Sequence, residues 1–338
     1  MDLKHFSPKR ILYYQPYNMG DVVLSTPVVR ALKKAYPKAE IDLMVIPQTR
    51  EIAQYIPSLN QIIVYDKEDK HRKLKEFLKL RSFLRSRHYD LAITASNSTR
   101  SALITWVSGA RYRIGSPNQG GFLFLTHPVR EDSVPMHLSE IFLQYLRPLG
   151  IHGSDSSLEL QIDPHNIQKV QQKLVHNPDR PLIAICPFGN CRPQKSWTIE
   201  NCSELVKLLA PMADLYLIGG KAEQSRLEKI NSLSGGLAMV WAGNLSMGEL
   251  IAFVKLLDLL VTVDTGPMHI AGAVGTKIVA LFGPTEPTSC GPRGKDDVVI
   301  RHYPGCEPCR KPIECDRCMR DIQAEEVYSE VLKLIPRP

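Results

Sequence analysis

Three stretches of the 338-residue chain combine residue types that could do chemistry at close spacing. The richest is Asp264-Thr265-Gly266-Pro267-Met268-His269, followed by Ile270-Ala271-Gly272-Ala273. Gly266 permits a tight turn, Pro267 suits the first position of a helix, and the small residues behind it let that helix approach a neighbour. Such a helix start presents backbone N–H groups, with Thr265 and His269 as side-chain donors, and so suits a diphosphate. The plainer reading of the same residues is a helix capped by Asp264 or Thr265, with His269 satisfied in a core. A Gly283-Pro284-Thr285 turn one strand later strengthens the anion site. The second stretch is Asn18-Met19-Gly20-Asp21, in which Asp21 reads as the cap of a helix beginning at Val22. The third is Cys306-Glu307-Pro308-Cys309 with Cys315-Asp316-Arg317-Cys318. Two C-x-x-C pairs point to four thiolates around one structural zinc, with no position open to substrate.

The elements that must carry these residues are legible as apolar runs. Arg10–Tyr14, Ile41–Ile46, Ile62–Tyr65 and Leu91–Ala95 read as strands with helical patterns between them. A second passage opens at Leu182–Cys186 and continues through strands Leu215–Ile218, Leu259–Val263 and Ile278–Phe282, separated by helices. Strands apolar on both faces and alternating with helices predict parallel sheets covered by helices. The expectation is α/β, with two Rossmann-like domains, residues 1–176 and 177–338, their parallel sheets facing a central cleft. The boundary falls at His176-Asn177-Pro178-Asp179-Arg180-Pro181, where prolines and polar residues interrupt the pattern. The last helical stretch, Ala324 to Ile335, fits against either domain.

Charge separates the halves. Residues 1–176 carry 24 Lys and Arg against 16 Asp and Glu, and residues 177–338 carry 18 against 19. The excess is densest between Lys67 and Arg87, around an amphipathic pattern of Leu74, Phe77, Leu78, Leu80 and Leu84, and points to an anionic partner. No stretch approaches the ~20 apolar residues of a membrane span, and Met1-Asp2-Leu3-Lys4-His5 leads into no signal-peptide core. The expectation is a cytoplasmic protein, with peripheral contact at an anionic membrane surface. No aromatic-basic module of a nucleic-acid binder is present, and no G-x-G-x-x-G follows either opening strand, which disfavours a dinucleotide dehydrogenase.

Asp264-Thr265-Gly266-Pro267-Met268-His269 with Leu281-Phe282-Gly283-Pro284-Thr285-Glu286-Pro287 resembles the signature of the ADP-heptose:lipopolysaccharide heptosyltransferases, glycosyltransferase family nine. Met19-Gly20-Asp21-Val22-Val23-Leu24-Ser25-Thr26-Pro27 is similar to that family's opening motif, and the order of elements agrees from about Arg10 to the final helix. The resemblance implies a GT-B fold and inverting transfer of a heptose from ADP-heptose to the inner core of lipopolysaccharide, with no metal in the chemistry. It implies that Asp21 is the catalytic base, that Lys195 of Lys195-Ser196-Trp197 meets phosphate, and that Glu223 binds ribose. Asp264, Thr265, Gly266, Pro267 and His269 become donor-site residues. Upstream of Lys195 the family often has hydroxyls, where this chain has Asn190, which can still donate, and Cys191, which is a poor substitute. Arg111 and Arg113 of Gly109-Ala110-Arg111-Tyr112-Arg113 become contacts for acidic groups of the acceptor. Cysteines near 306–318 recur in the family, so a trait without metal competes with zinc. The rival functions are a nucleotide-sugar epimerase on the same fold, a transferase using another nucleotide sugar, and a non-catalytic binding module, which the presence of Asp21 disfavours.

Overall fold

The computed structural model describes residues 3–153, 155–189, 193–302, 305 and 315–335. The chain divides into two units, Met1–Gln161 and Ile162–Pro338. In the first, β1 (Arg10–Gln15), β2 (Glu40–Val45), β3 (Gln61–Val64), β4 (Leu91–Thr94), β5 (Tyr112–Gly115) and β6 (His127–Pro128) form one sheet in the order β3-β2-β1-β4-β5-β6. In the second, β7 (Leu182–Cys186), β8 (Asp214–Gly219), β9 (Met239–Ala242), β10 (Leu259–Val263), β11 (Lys277–Phe282) and β12 (Val298–Arg301) run β9-β8-β7-β10-β11-β12. Every pairing in both sheets is parallel. The two sheets therefore repeat one doubly wound topology, in which the chain reverses direction between the first and fourth strands.

Central strands are apolar throughout because helices cover both faces; β4, β7 and β10 are buried at every position. On one face of the first sheet, Leu80 and Leu84 of the helix Leu74–Ser86 and Ile104 and Val107 of the helix Thr99–Val107 pack with Leu12, Tyr14, Met44 and Ala92. The core of the second unit gathers the inner residues of β7, β8, β10 and β11 with Val327 and Val331 of the final helix, Ala324–Leu334, which packs on the helix Ile199–Leu209.

The division lies earlier than 176/177. The helix Pro164–Lys173 packs on the helix Met247–Leu256, and Lys173 Nζ meets Glu249 Oε1 at 2.5 Å. The segment after it is also tied to the second unit. Val175 exchanges both backbone hydrogen bonds with the Tyr216 hydroxyl, and the Asn177 N–H donates to Asp214. The proline-rich stretch is thus a turn leading into β7, inside the second unit. Four strands escape the apolar-run reading: β5, β6, β9 and β12. Among the described residues no helix is long and apolar enough to cross a membrane.

Candidate active site

In sheets of this topology ligands bind beyond the carboxyl ends of the strands, where the chain order reverses. In the second unit that point lies between β7 and β10. The turn after β7 ends in a short 3-10 turn, Pro193–Lys195, and the turn after β10 leads into the helix Gly266–Val274. Because β7 and β10 are adjacent, these turns meet: Lys195 Nζ lies 2.5 Å from Asp264 Oδ2. Asp264 is buried, while the Lys195 side chain is 19% exposed. Burial works against the carboxylate, but the Lys195 charge and hydrogen bond, with help from Thr285 and His269, hold its pKa below the ordinary value. Asp264 is therefore an anion beneath the site that fixes the ammonium above it. Thr265 is the N-cap, with extended backbone and no side-chain capping bond, and Pro267 stands inside the first turn. Thr265, Gly266 and Pro267 are partly exposed; Met268 and His269 behind them are buried. The site thus offers an ammonium, a hydroxyl and a helix start on one surface, suited to a diphosphate.

The residues around this turn explain its shape. Trp197 is 1% exposed, its backbone N–H donates to Pro187 O at 2.8 Å, and its indole Nε1–H donates to Ile322 O at 3.0 Å. The aromatic two residues after Lys195 is an anchor that pins the lysine turn to the C-terminal segment. Gly283, in the motif after β11, is required by packing. A Cβ there would lie 2.5 Å from Met319 Sδ and 2.8 Å from Cys318 Sγ.

Glu223 stands at the end of a 3-10 turn, Lys221–Glu223, after β8. It is buried, 6% exposed. Its Oε2 accepts the Gly220 N–H at 2.8 Å. Burial raises its pKa, against the opposing pull of the Gly220 N–H and Arg226.

In the first unit the reversal point lies between β1 and β4. The helix after β1 spans Met19–Leu24 with Asn18 as N-cap, so it begins three residues before Val22. Asp21 is the third helical residue instead of the cap, and its Oδ2 accepts the Asn18 N–H at 3.1 Å. Its carboxylate is half-buried. The loop that presents it is held across the reversal point by Tyr17, whose hydroxyl lies 3.1 Å from Ser96 Oγ beyond β4. Neither Tyr17 nor Ser96 stood out in sequence; the polar run Ser96-Asn97-Ser98 directly after an apolar strand is the signal that marks the position.

Arg111 and Arg113 part company. Arg111 is exposed just before β5, its guanidinium carbon 5.2 Å from the Tyr112 ring centre. Arg113 lies within β5 and donates to the carbonyls of Phe124 and Ala110, both at 2.7 Å. Burial lowers its pKa. Through these two bonds Arg113 braces the following segment.

Of the four motif cysteines, Cys315 is half-exposed and Cys318 is buried on the short helix Arg317–Arg320. Cys306, Cys309 and Asn190 lie outside the described residues. Among the described residues, no group of three or more His, Cys, Asp and Glu could hold a metal ion.

The chain is similar in sequence and fold to known proteins. Residues 77–317 match the profile of glycosyltransferase family 9 (heptosyltransferase). The chain belongs to this family. As a family 9 glycosyltransferase it is 25% identical to lipopolysaccharide heptosyltransferase 2 of Escherichia coli, over 96% of this chain and 98% of that protein. Its fold matches a family 9 glycosyl transferase from Veillonella parvula with a TM-score of 0.85 at 24% identity, covering 99% of this chain and 98% of that one. It also matches the E. coli ADP-heptose lps heptosyltransferase II, with a TM-score of 0.80 at 23% identity, covering 96% and 98%. The GT-B architecture follows from these matches.

Proposed function

We propose that this glycosyltransferase moves a heptose from ADP-heptose to the inner core of lipopolysaccharide, with inversion at the anomeric carbon and no metal in the transfer step. The observation that carries the reading is the Lys195–Asp264 pair beside the Thr265–Pro267 helix start, a positioned ammonium and helix-start N–H groups at the reversal point of the second unit. The curated relative named above is a heptosyltransferase, which supports the choice of sugar.

In this reading the second unit holds the donor. Lys195 and the first turn of the helix Gly266–Val274 meet the diphosphate, and Glu223 meets the ribose. The first unit receives the acceptor, with Arg111 facing its acidic groups. As the acceptor oxygen bonds to the anomeric carbon, Asp21 takes the hydroxyl proton. The bond from that carbon to the diphosphate oxygen breaks on the opposite face, and its electron pair leaves with ADP. The charge gained by the diphosphate falls on the ammonium and the helix start. Asp264 acts through Lys195, holding it where that charge develops.

The reading includes a cytoplasmic location with peripheral contact at the inner face of the cytoplasmic membrane. It also includes one structural zinc on Cys306, Cys309, Cys315 and Cys318. Protein purified under reducing, metal-replete conditions is then expected to carry about one zinc per chain with sulfur neighbours at ~2.3 Å; four titratable thiols and no zinc would remove the ion from the account. The function is tested by incubation with a panel of nucleotide sugars and a heptose-deficient core acceptor. Transfer from ADP-heptose with a reversed anomeric configuration is expected. Epimerisation without transfer, or preference for another nucleotide sugar, would contradict it.

A further inference from the structure

The helix Leu74–Ser86 buries Leu80 and Leu84 against the first sheet but leaves Leu74 72% and Leu78 48% exposed. With Arg81 and Arg85, also exposed, these residues follow a spacing of four, three and four, which places them on one stripe of the helix. The stripe borders the next helix, Thr99–Val107: a Cβ at Gly109, just past that helix's end, would lie 3.3 Å from Arg85 Cγ. There Trp106 is 46% exposed, its ring 6.1 Å from that of Phe124. The segment Asn118–Leu123 is laid along the same helix. Thr99 Oγ1 donates to Gln119 O near one end, and Arg113 grips the Phe124 carbonyl at the other. Phe122 and Leu123 stand out from this segment at 57% and 71% exposure. These elements join leucine, tryptophan and phenylalanine side chains into one exposed flank.

The charges on that flank choose its partner. Between Lys67 and Arg87 stand nine Lys and Arg against three Asp and Glu. The helix Leu74–Ser86 holds one acidic residue, Glu76, and it is already paired with Lys79 at 2.7 Å. Apolar side chains for the acyl boundary, an indole suited to the headgroup level and a surplus of cations for lipid phosphates are the chemistry of an anionic bilayer surface. A protein partner fits less well, since lysine is depleted from protein–protein interfaces.

We propose that this flank is the face by which the first unit lies on anionic lipid, with Leu74, Leu78, Trp106, Phe122 and Leu123 entering the headgroup boundary and Arg81 and Arg85 on its phosphates. The proposal deepens the reading above, and rests on it for the link to a lipid-borne acceptor. Both helices begin at the carboxyl end of the sheet, the end that carries Asp21, so the flank runs down from the catalytic end of the unit.

The test is flotation of the full chain with vesicles free of acceptor, so that its outcome does not depend on transfer. Vesicles rich in phosphatidylglycerol should capture the protein, and neutral phosphatidylcholine vesicles should capture it at least tenfold less. Leu78→Glu/Leu123→Glu and, separately, Arg81→Glu/Arg85→Glu should each weaken capture tenfold or more. Both should keep the wild-type melting temperature and wild-type transfer to a detergent-dispersed acceptor. Added salt should release the wild-type protein, because exposed charges are screened over about 10 Å at 0.1 M. Equal capture by both vesicle types, or variants that float like the wild type, would overturn the proposal. So would self-association in place of vesicle binding, abolished by the same substitutions. If ADP-heptose proves the wrong donor while capture behaves as stated, the lipid face stands and the functional reading falls.

Discussion

The two units share one strand order and differ in what stands at the reversal point. Between β1 and β4 the first unit sets a carboxylate, Asp21, on the opening turn of a six-residue helix. Between β7 and β10 the second sets a cation, Lys195, pinned by a buried aspartate beside a nine-residue helix start. The scaffold supplies the place and, in the proposed reading, a few loop residues supply the chemistry: a proton acceptor in one unit, a diphosphate seat in the other. Their supports differ too. The direct partner of Asp21 is local, Asn18 three residues away, although its loop is tied by Tyr17 to Ser96, 79 residues on. Lys195 is held by residues far along the chain, Asp264 directly and Ile322 through Trp197.

That contrast can be broken from either side. The largest expected effect is on turnover. Asp21→Asn keeps an acceptor oxygen for the Asn18 N–H but loses basicity, so transfer should slow roughly 10²–10⁴-fold with the melting temperature little changed. Near-normal turnover would leave Asp21 as a helix-start residue only. Next comes Gly283→Ala, whose new methyl group would overlap Met319 and Cys318. Calorimetric unfolding should show a loss of about 1–3 kcal/mol, and unchanged stability would remove the packing reason for this motif glycine.

The smallest effect concerns the edge of the second unit. Glu249 has its pKa lowered to about 2, chiefly by the Lys173 hydrogen bond, then by the Ser246 N–H. A carboxylate depressed on folding lends stability that is complete above its ordinary value. That stability is lost as pH falls toward about 2. Lys173→Met should flatten the decline of stability in acid over that window. An unchanged acid profile would detach the helix Pro164–Lys173 from the unit assigned to it.

The sequence carried the centre of each sheet and one edge, β3, but not the other three edges. β1, β4, β7 and β10 are continuous apolar runs because both faces are covered. β5 carries Arg113 and β12 is a three-residue apolar run closed by Arg301, so no long run marks them; β9 lies within the apolar run of residues 237–242, but as an edge strand with Met239 exposed it is not covered on both faces. β6 has only two residues. Asp21, Lys195 and the Asp264–His269 turn were legible as motifs. The pairing of Lys195 with Asp264 was not, because the residues are 69 positions apart and only the adjacency of β7 and β10 joins them. The bracing bonds of Arg113 were not legible, because a basic residue before a turn looks the same whether its guanidinium faces solvent or grips two carbonyls. The boundary at 176/177 misled because prolines mark a turn equally well inside a unit.

The division of labour between the units is tested most directly by calorimetric titration of ADP into the wild-type, Asp21→Asn and Lys195→Ala proteins, with adenosine as control. Loss of a charge-assisted phosphate contact costs on the order of 1.5–3 kcal/mol, so Lys195→Ala should weaken ADP roughly ten- to a hundredfold and leave adenosine nearly unchanged. Asp21→Asn should bind ADP like the wild type. If Asp21→Asn weakens ADP as much as Lys195→Ala does, or if Lys195→Ala weakens ADP and adenosine alike, the assignment of base to one unit and diphosphate to the other is wrong.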